Sequence, residues 1–263
     1  MDQSVSTAAH QPTDIFGEPT GRRPIAPRSA RPLGSLSGQH KYEVVYLTRN
    51  GQIAESTSFA RALPAFEEAF AVLSHNAIVQ TDSGLVTVED VLPGDKVRMA
   101  DGSFDTLLWR GHITLQSGGA DAAARVPTLT RITADAYGYN RPTPDLVLGP
   151  AARLLHRASE IRKLTGCDTA FIPASDFVDG DNVLTLAITR PVTLYQLGFA
   201  TQQRLSVNGL EIETLHPGTA FTLGLRGDAL AEYLSLFPHK RSLEEFGLMD
   251  HPRLRLRDLE LLR

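Results

Sequence analysis

Residues 71–102, AVLSHNAIVQTDSGLVTVEDVLPGDKVRMADG, constrain the fold more than any other stretch of the chain. Three short runs of apolar and β-branched residues, 77–81, 85–88 and 96–99, are separated by Asp82-Ser83-Gly84 and by Pro93-Gly94-Asp95, and Asp101-Gly102 closes the last. Branched side chains favour extended backbone, and Gly, Pro and Asp supply the reversals between extended segments. The stretch therefore reads as a β-meander.

The flanking sequence follows the same logic. Residues 42–48, YEVVYLT, alternate and lead into Asn50-Gly51, so they should form a strand entering a hairpin, with 52–56 as a weaker return strand. In LPAFEEAFAVL, Pro64 suits a first helical position, Glu67 and Glu68 suit the positive end of the dipole, and Phe66, Phe70 and Leu73 share a face. A short amphipathic helix is expected there. Residues 105–115 read as one long strand, or two joined at Arg110-Gly111. Residues 116–125 are a Gly/Ala loop, 126–132 a further strand, and 137–144 an aromatic, proline-rich surface loop. Near the end, Leu230, Tyr233, Leu234 and Phe237 form a helical stripe stopped by Pro238, and Arg253, Arg255 and Arg257 alternate with leucines as a solvated face would.

Four blocks in order resemble the Hint (hedgehog/intein) family in its bacterial form. The first carries Thr81, Gly84, Val88-Glu89-Asp90, Pro93-Gly94-Asp95 and Val97. The second, DLVLGPAARLL at 145–155, is similar to the pattern D-L-L-V-S-P-Q-H-R-x-L-L; the third, IPASDFVDGD at 172–181, to V-P-A-K-H-L-V-D-G-D. The fourth, 191–218, keeps Glu213, His216, Pro217 and Gly218 of a pattern ending E-S-F-H-P-G, and Trp109 stands where the family has the tryptophan of P-V-R-W-I-G. The resemblance implies a mainly β, Hint-type horseshoe with a short preceding helix and a small C-terminal helical extension. Residues 1–40, rich in Pro, Gly, Ser and Arg with little apolar clustering, read as a disordered tail; a hairpin and helix lead in at 41–73, the Hint domain is expected at 74–218, and a helical cap at 219–263.

The same resemblance implies self-processing, in which a cysteine before the first strand attacks the preceding carbonyl while histidines move the protons. Here the nucleophile position falls on Val72, and Ala152, Gln196 and Gln202 stand at histidine positions, with Ala200 at an aspartate and Asp176 at another histidine. Ser74 is the sole hydroxyl between residues 71 and 77, which makes Ser74 and His216 the candidate catalytic residues. His216 also sits in a Leu-His-Pro-Gly sequence suited to a turn, where a structural role is preferred. A Ser74-His75 pair is disfavoured because neighbours on an extended chain point apart.

Composition narrows the alternatives. With 263 residues, 42% of them hydrophobic, a single sizeable core is available, and a net charge of −4 gives no general attraction to nucleic acid or anionic membrane. The arginines of the tail, Arg22, Arg23, Arg28 and Arg31, read as solvating charges. The single cysteine, Cys167, rules out an intramolecular disulfide and cysteine-paired metal sites and reads as a bystander. The acidic turn 178–181 has too few oxygen ligands for calcium, so neither metal nor cofactor is expected. No apolar run reaches membrane-spanning length and no signal peptide is readable, so a cytoplasmic protein is expected, with export lacking a cleaved signal as the alternative. No phosphate loop, paired-carboxylate site or nucleophile elbow is present. Two readings follow: a non-processing Hint domain binding an unknown peptide or protein, preferred because the ionisable positions are neutral, and an autoprocessing domain using Ser74. The ending Leu261-Leu262-Arg263, in place of an intein's His-Asn, also weighs against release of a downstream segment.

Overall fold

A computed structural model describes residues 38–116 and 127–261. The tail expected at 1–40 lies outside them as far as residue 37, as does nearly all of the loop at 116–125. In chain order the elements are β1 (Gln39–Leu47), β2 (Ile53–Arg61), α1 (Pro64–Glu68), β3 (Leu73–Ser74), β4 (Ile78–Thr81), β5 (Gly84–Thr87), β6 (Lys96–Arg98), β7 (Phe104–Thr106), β8 (Trp109–Leu115) and β9 (Thr128–Ile132). There follow β10 (Leu146–Leu148), β11 (Arg153–Arg157), α2 (Ser159–Thr165), β12 (Thr169–Pro173), β13 (Val183–Ala187), β14 (Val192–Gly198), β15 (Arg204–Val207) and β16 (Leu210–Glu213). Three short helices end the chain: α3 (Ala220–Leu223), α4 (Gly227–Ser235) and α5 (Leu256–Glu260).

The strands form two antiparallel sheets. One runs β13-β9-β10-β3-β14-β8-β1-β2; the other runs β12-β11-β16-β15-β4-β6-β7, with β5 hairpinned onto β4. The meander is therefore built as its punctuation requires: Thr81 faces Gly84 across the first reversal, and Thr81 faces Val97 on the next strand. Arg110, almost wholly buried, fixes the intervening Val-Glu-Asp loop from below, one terminal nitrogen donating to the carbonyls of Val88, Glu89 and Val91.

Several local expectations are corrected. The return strand β2 runs nine residues to Arg61, because every residue of β1 finds a partner on it. The helix stops at Glu68, and Leu73, expected on its apolar face, opens β3, where it pairs with Leu148 on one side and Tyr195 on the other. Residues 104–115 are two strands, but the break falls at Leu107-Leu108. Gly111 lies inside β8 because a Cβ there would come within 2.3 Å of the Trp109 indole and 2.5 Å of Phe70. β1 begins at Gln39, inside the stretch expected to be tail. Helix α2, which the motif reading passed over, has its signal in the sequence: Glu160 early, Arg162 and Lys163 late, and Gly166 at the C-cap with φ of 79°.

The core joins the leading hairpin to the C-terminal helices. Tyr42 from β1, Phe66 and Phe70 around α1, Trp109 from β8, and Tyr233 and Phe237 around α4 pack as one aromatic cluster, with Phe70 and Trp109 edge-to-face at 5.2 Å. The Trp109 indole N–H donates to the Leu236 carbonyl at 3.0 Å, satisfying the one polar atom that burial would otherwise orphan. No helix among the described residues is long and apolar enough to cross a membrane.

Candidate functional site

The residue just before β3 (Val72), the middle of β14 (Gln196), the end of β16 (Glu213 to Pro217) and the turn between β10 and β11 (Ala151) meet at one cleft of about 630 Å³. The floor is set by backbone. Gly149 N–H donates to the Val72 carbonyl at 2.7 Å, and Ala151 N–H donates to the Ala71 carbonyl at 3.0 Å. A Cβ on Gly149 would lie 2.2 Å from the Ala71 oxygen, so the turn reaches this peptide only as glycine.

His216 is held by its neighbours. Gly218 N–H donates to Nδ1 at 3.0 Å, so that nitrogen is an acceptor; Nε2 lies 3.2 Å from the Gly247 carbonyl, so that nitrogen carries the proton. The ring is thereby a neutral Nε2–H tautomer with both nitrogens engaged. Burial lowers its pKa below the ordinary histidine value, and the Arg253 charge acts in the same direction.

Glu213, 4% exposed, is the buried charge of the site. It accepts from Arg253 Nε at 2.9 and 3.1 Å, from Arg253 Nη2 at 2.8 Å, and from the side-chain amide of Gln202. Arg253 also donates to the His216 carbonyl at 2.7 Å. Arg153 stands 3.6 Å from Glu213 and 3.8 Å from Glu68. Burial, followed by the repulsion of Arg253, lowers the Arg153 pKa while leaving a guanidinium a cation throughout the working range.

Residues expected to be solvated or vestigial turn out to hold the C-terminal arm. Gln202 Oε1 accepts from Asp250 N–H at 3.0 Å, His216 donates to the Gly247 carbonyl, and Asp176 accepts from Arg255 at 2.8 and 2.6 Å and from Leu256 N–H at 3.0 Å. Phe171 and Arg253 add a parallel β-bridge. Arg253 and Arg255 are thus ion-paired and not a bare solvated face, a correction whose cause is pairing across 40 and 79 positions of sequence.

Of the two candidate catalytic residues, His216 lines the cleft and Ser74 does not. The Ser74 hydroxyl contacts its neighbour's carbonyl at 3.3 Å, and the His75 ring turns to Glu89 at 3.0 Å. Val72 and Gln196 line the cleft, Ala152 lies buried beside lining Ala151, and Gln202 reaches it through Glu213. Sequence reading did not single out Arg153 or Arg253 as site residues; the signal available was for Arg153 alone, which keeps the arginine of the second block's pattern. In the acidic turn, Asp179 Oδ1 accepts three backbone N–H groups at 2.8 to 2.9 Å, and its carboxylate closes its own turn.

Comparison with protein families matches residues 71–219 to the family described as Hint domain, more than half of the chain. The chain belongs to the Hint domain family. Among solved structures it is similar to a bacterial intein-like domain from Clostridium thermocellum, with 13% identity, 56% of this chain and 99% of that one covered, and a TM-score of 0.38. It is also similar to the MchDnaB-1 intein, with 15% identity, 54% and 98% covered, and a TM-score of 0.31. No curated protein matches. The Hint fold here is mainly β with a few helices, as the four blocks imply.

Proposed function

We propose that this Hint domain does not process itself and that its cleft serves to bind a peptide or protein partner. The observation that carries this reading is the state of His216: the one histidine in the cleft has both ring nitrogens engaged by backbone, and its basicity is lowered by burial. General acid–base chemistry needs a group free to exchange a proton near the working pH. Five other positions where the resemblance implies ionisable groups, Val72, Ala152, Gln196, Ala200 and Gln202, carry none. Ser74, which a self-cleaving reading would need as nucleophile, lies outside the cleft lining; its hydroxyl contacts the His75 carbonyl while the His75 ring is turned to Glu89.

The test is the intact mass of the purified full-length chain after days of incubation with and without hydroxylamine, alongside Ser74→Ala. An unchanged mass in all samples is expected. A fragment beginning near residue 72 or 74 that disappears in Ser74→Ala would establish self-cleavage and remove this reading.

A further inference from the structure

The geometry points to Arg153 as the receptor for the C-terminal carboxylate of an apolar peptide, with the rest of the cleft taking the last side chains of that peptide. This rests on the reading of the cleft as a binding site and names what it binds.

The polar groups around the cleft are nearly all spent on the fold. Glu213 is held by Arg253 and Gln202, both nitrogens of His216 are bonded, and Arg253 divides its donors between Glu213 and the His216 carbonyl. Thr222 closes the capping box of α3, and the Thr214 hydroxyl oxygen accepts from Gln203 N–H. Arg153 is different. A guanidinium offers five N–H donors, and a good pairing with a carboxylate brings N and O to about 2.7–2.9 Å. Among the described residues Arg153 makes one hydrogen bond, a long one of 3.5 Å to the Ala151 carbonyl, and its two carboxylate neighbours stand at 3.6 and 3.8 Å. None of its nitrogens is a buried orphan, so its unused donors are reachable from solvent, and the residue lines the cleft.

The nearby acids leave room for a further carboxylate. Glu213 is already neutralised by Arg253. Glu68 is 59% exposed, so its hold on Arg153 is screened by water, and an incoming carboxylate can take its place. A second donor marks the ligand as a peptide and not a simple fatty acid. The Gln196 side-chain oxygen accepts from Leu197 N–H at 2.9 Å, which turns its NH2 group the other way; that group has no hydrogen-bond partner among the described residues and is not a buried orphan. An amide carbonyl is its natural complement. Beside these two polar points the lining includes the apolar side chains of Pro64, Val72, Leu215, Leu223, Met249 and Pro252, next to the polar groups already engaged within the fold. The volume lies within the usual range for a ligand site of roughly 300–1,000 Å³.

The experiment is calorimetric titration of the full-length chain at low salt with acetyl-Leu-Leu-Leu bearing a free carboxylate, with the same peptide amidated, and with octanoate. The free-acid peptide should bind at least tenfold more tightly than either other probe. Arg153→Gln should weaken it tenfold or more, Gln196→Leu severalfold, and Glu68→Gln should tighten it, with far-ultraviolet circular dichroism confirming that each variant is folded. Should Arg153→Gln fail to fold, Glu68→Gln and Gln196→Leu carry the decision. Equal binding of the amidated peptide, octanoate binding as well as the peptide, no binding of any probe, or an affinity indifferent to these substitutions would each overturn the proposal. An unchanged intact mass together with no binding would sink this inference alone; a self-cleavage fragment would sink the non-processing reading, whatever the titration gave.

Discussion

The imidazole of His239 stacks on the indole of Trp109, with ring centroids 6.0 Å apart and planes 29° from parallel. Phe237 and Phe246 stand edge-on to the same imidazole, and both of its nitrogens are buried without a hydrogen-bond partner among the described residues. Burial, with the Lys240 charge alongside, pulls its pKa from 6.5 down to about 3. An unfolded chain takes up this proton near pH 6.5 while the folded chain refuses it until near pH 3. Stability from this group is therefore level above pH 6.5 and falls as pH drops through the interval between those values. The loss is on the order of 2 kcal/mol by pH 5. His112, His216 and His251 are also lowered, burial first, and add to the same slope. Urea titrations followed by the emission of Trp109, the chain's single tryptophan, should show a lower midpoint at pH 5 than at pH 7, and His239→Phe should flatten the difference.

Removing Arg253 strands a buried carboxylate. Arg253→Gln leaves Glu213 with Gln202 and the distant Arg153, and a cost of about 3 kcal/mol is expected. The arm should loosen with it, which hydrogen exchange can read at the Leu254 and Phe171 amides that bond across the Phe171–Arg253 bridge. The double replacement Arg253→Met with Glu213→Met should cost less than the sum of the single changes, because it leaves no unpaired charge. Additive costs would mean that the pair contributes nothing as a pair.

Gly149 is fixed by contact, since its φ does not lie in the left-handed region. A methyl group there meets the Ala71 carbonyl, so Gly149→Ala should destabilise by about 2 kcal/mol or more and break the bond from Gly149 N–H to Val72. Denaturant unfolding measures the first effect, and an increased exchange rate at the Gly149 and Ala151 amides the second.

Legibility in the sequence divided along the range of the interactions involved. The meander could be read because each of its reversals is encoded within a few residues, as with Thr81, Asp82, Ser83 and Gly84. Leu73 could not: its helical spacing from Phe66 and Phe70 is real, yet two residues of β3 are claimed by strands beginning 73 and 119 positions later, at Leu146 and Val192. The break between β7 and β8 was misplaced for a related reason, since Gly111 looks like a hinge in sequence and is in fact a seat for Trp109 and Phe70. At the cleft, the loss of ionisable residues was legible position by position. What those replacements now hold was not, because Gln202 and Asp176 meet the arm only after the chain has returned to them.

Restoring one group should not restore chemistry. Val72→Cys places a thiol at the nucleophile position implied by the resemblance, but Ala152 and the fully bonded His216 offer it no proton transfer. Incubation with excess dithiothreitol should leave the mass of this variant intact over days. A thiol-dependent fragment would show that the backbone around Gly149 suffices to activate the peptide.

β1 lies between β8 and β2 in the same sheet as β3, and its Tyr42 is sealed against Phe66 and Phe70. Polypeptide on the upstream side of Val72 is thus woven into the same fabric as the polypeptide on the downstream side. A scission at that point would sever a covalent tie and liberate nothing: the two pieces would migrate as one particle until a denaturant pulled them apart.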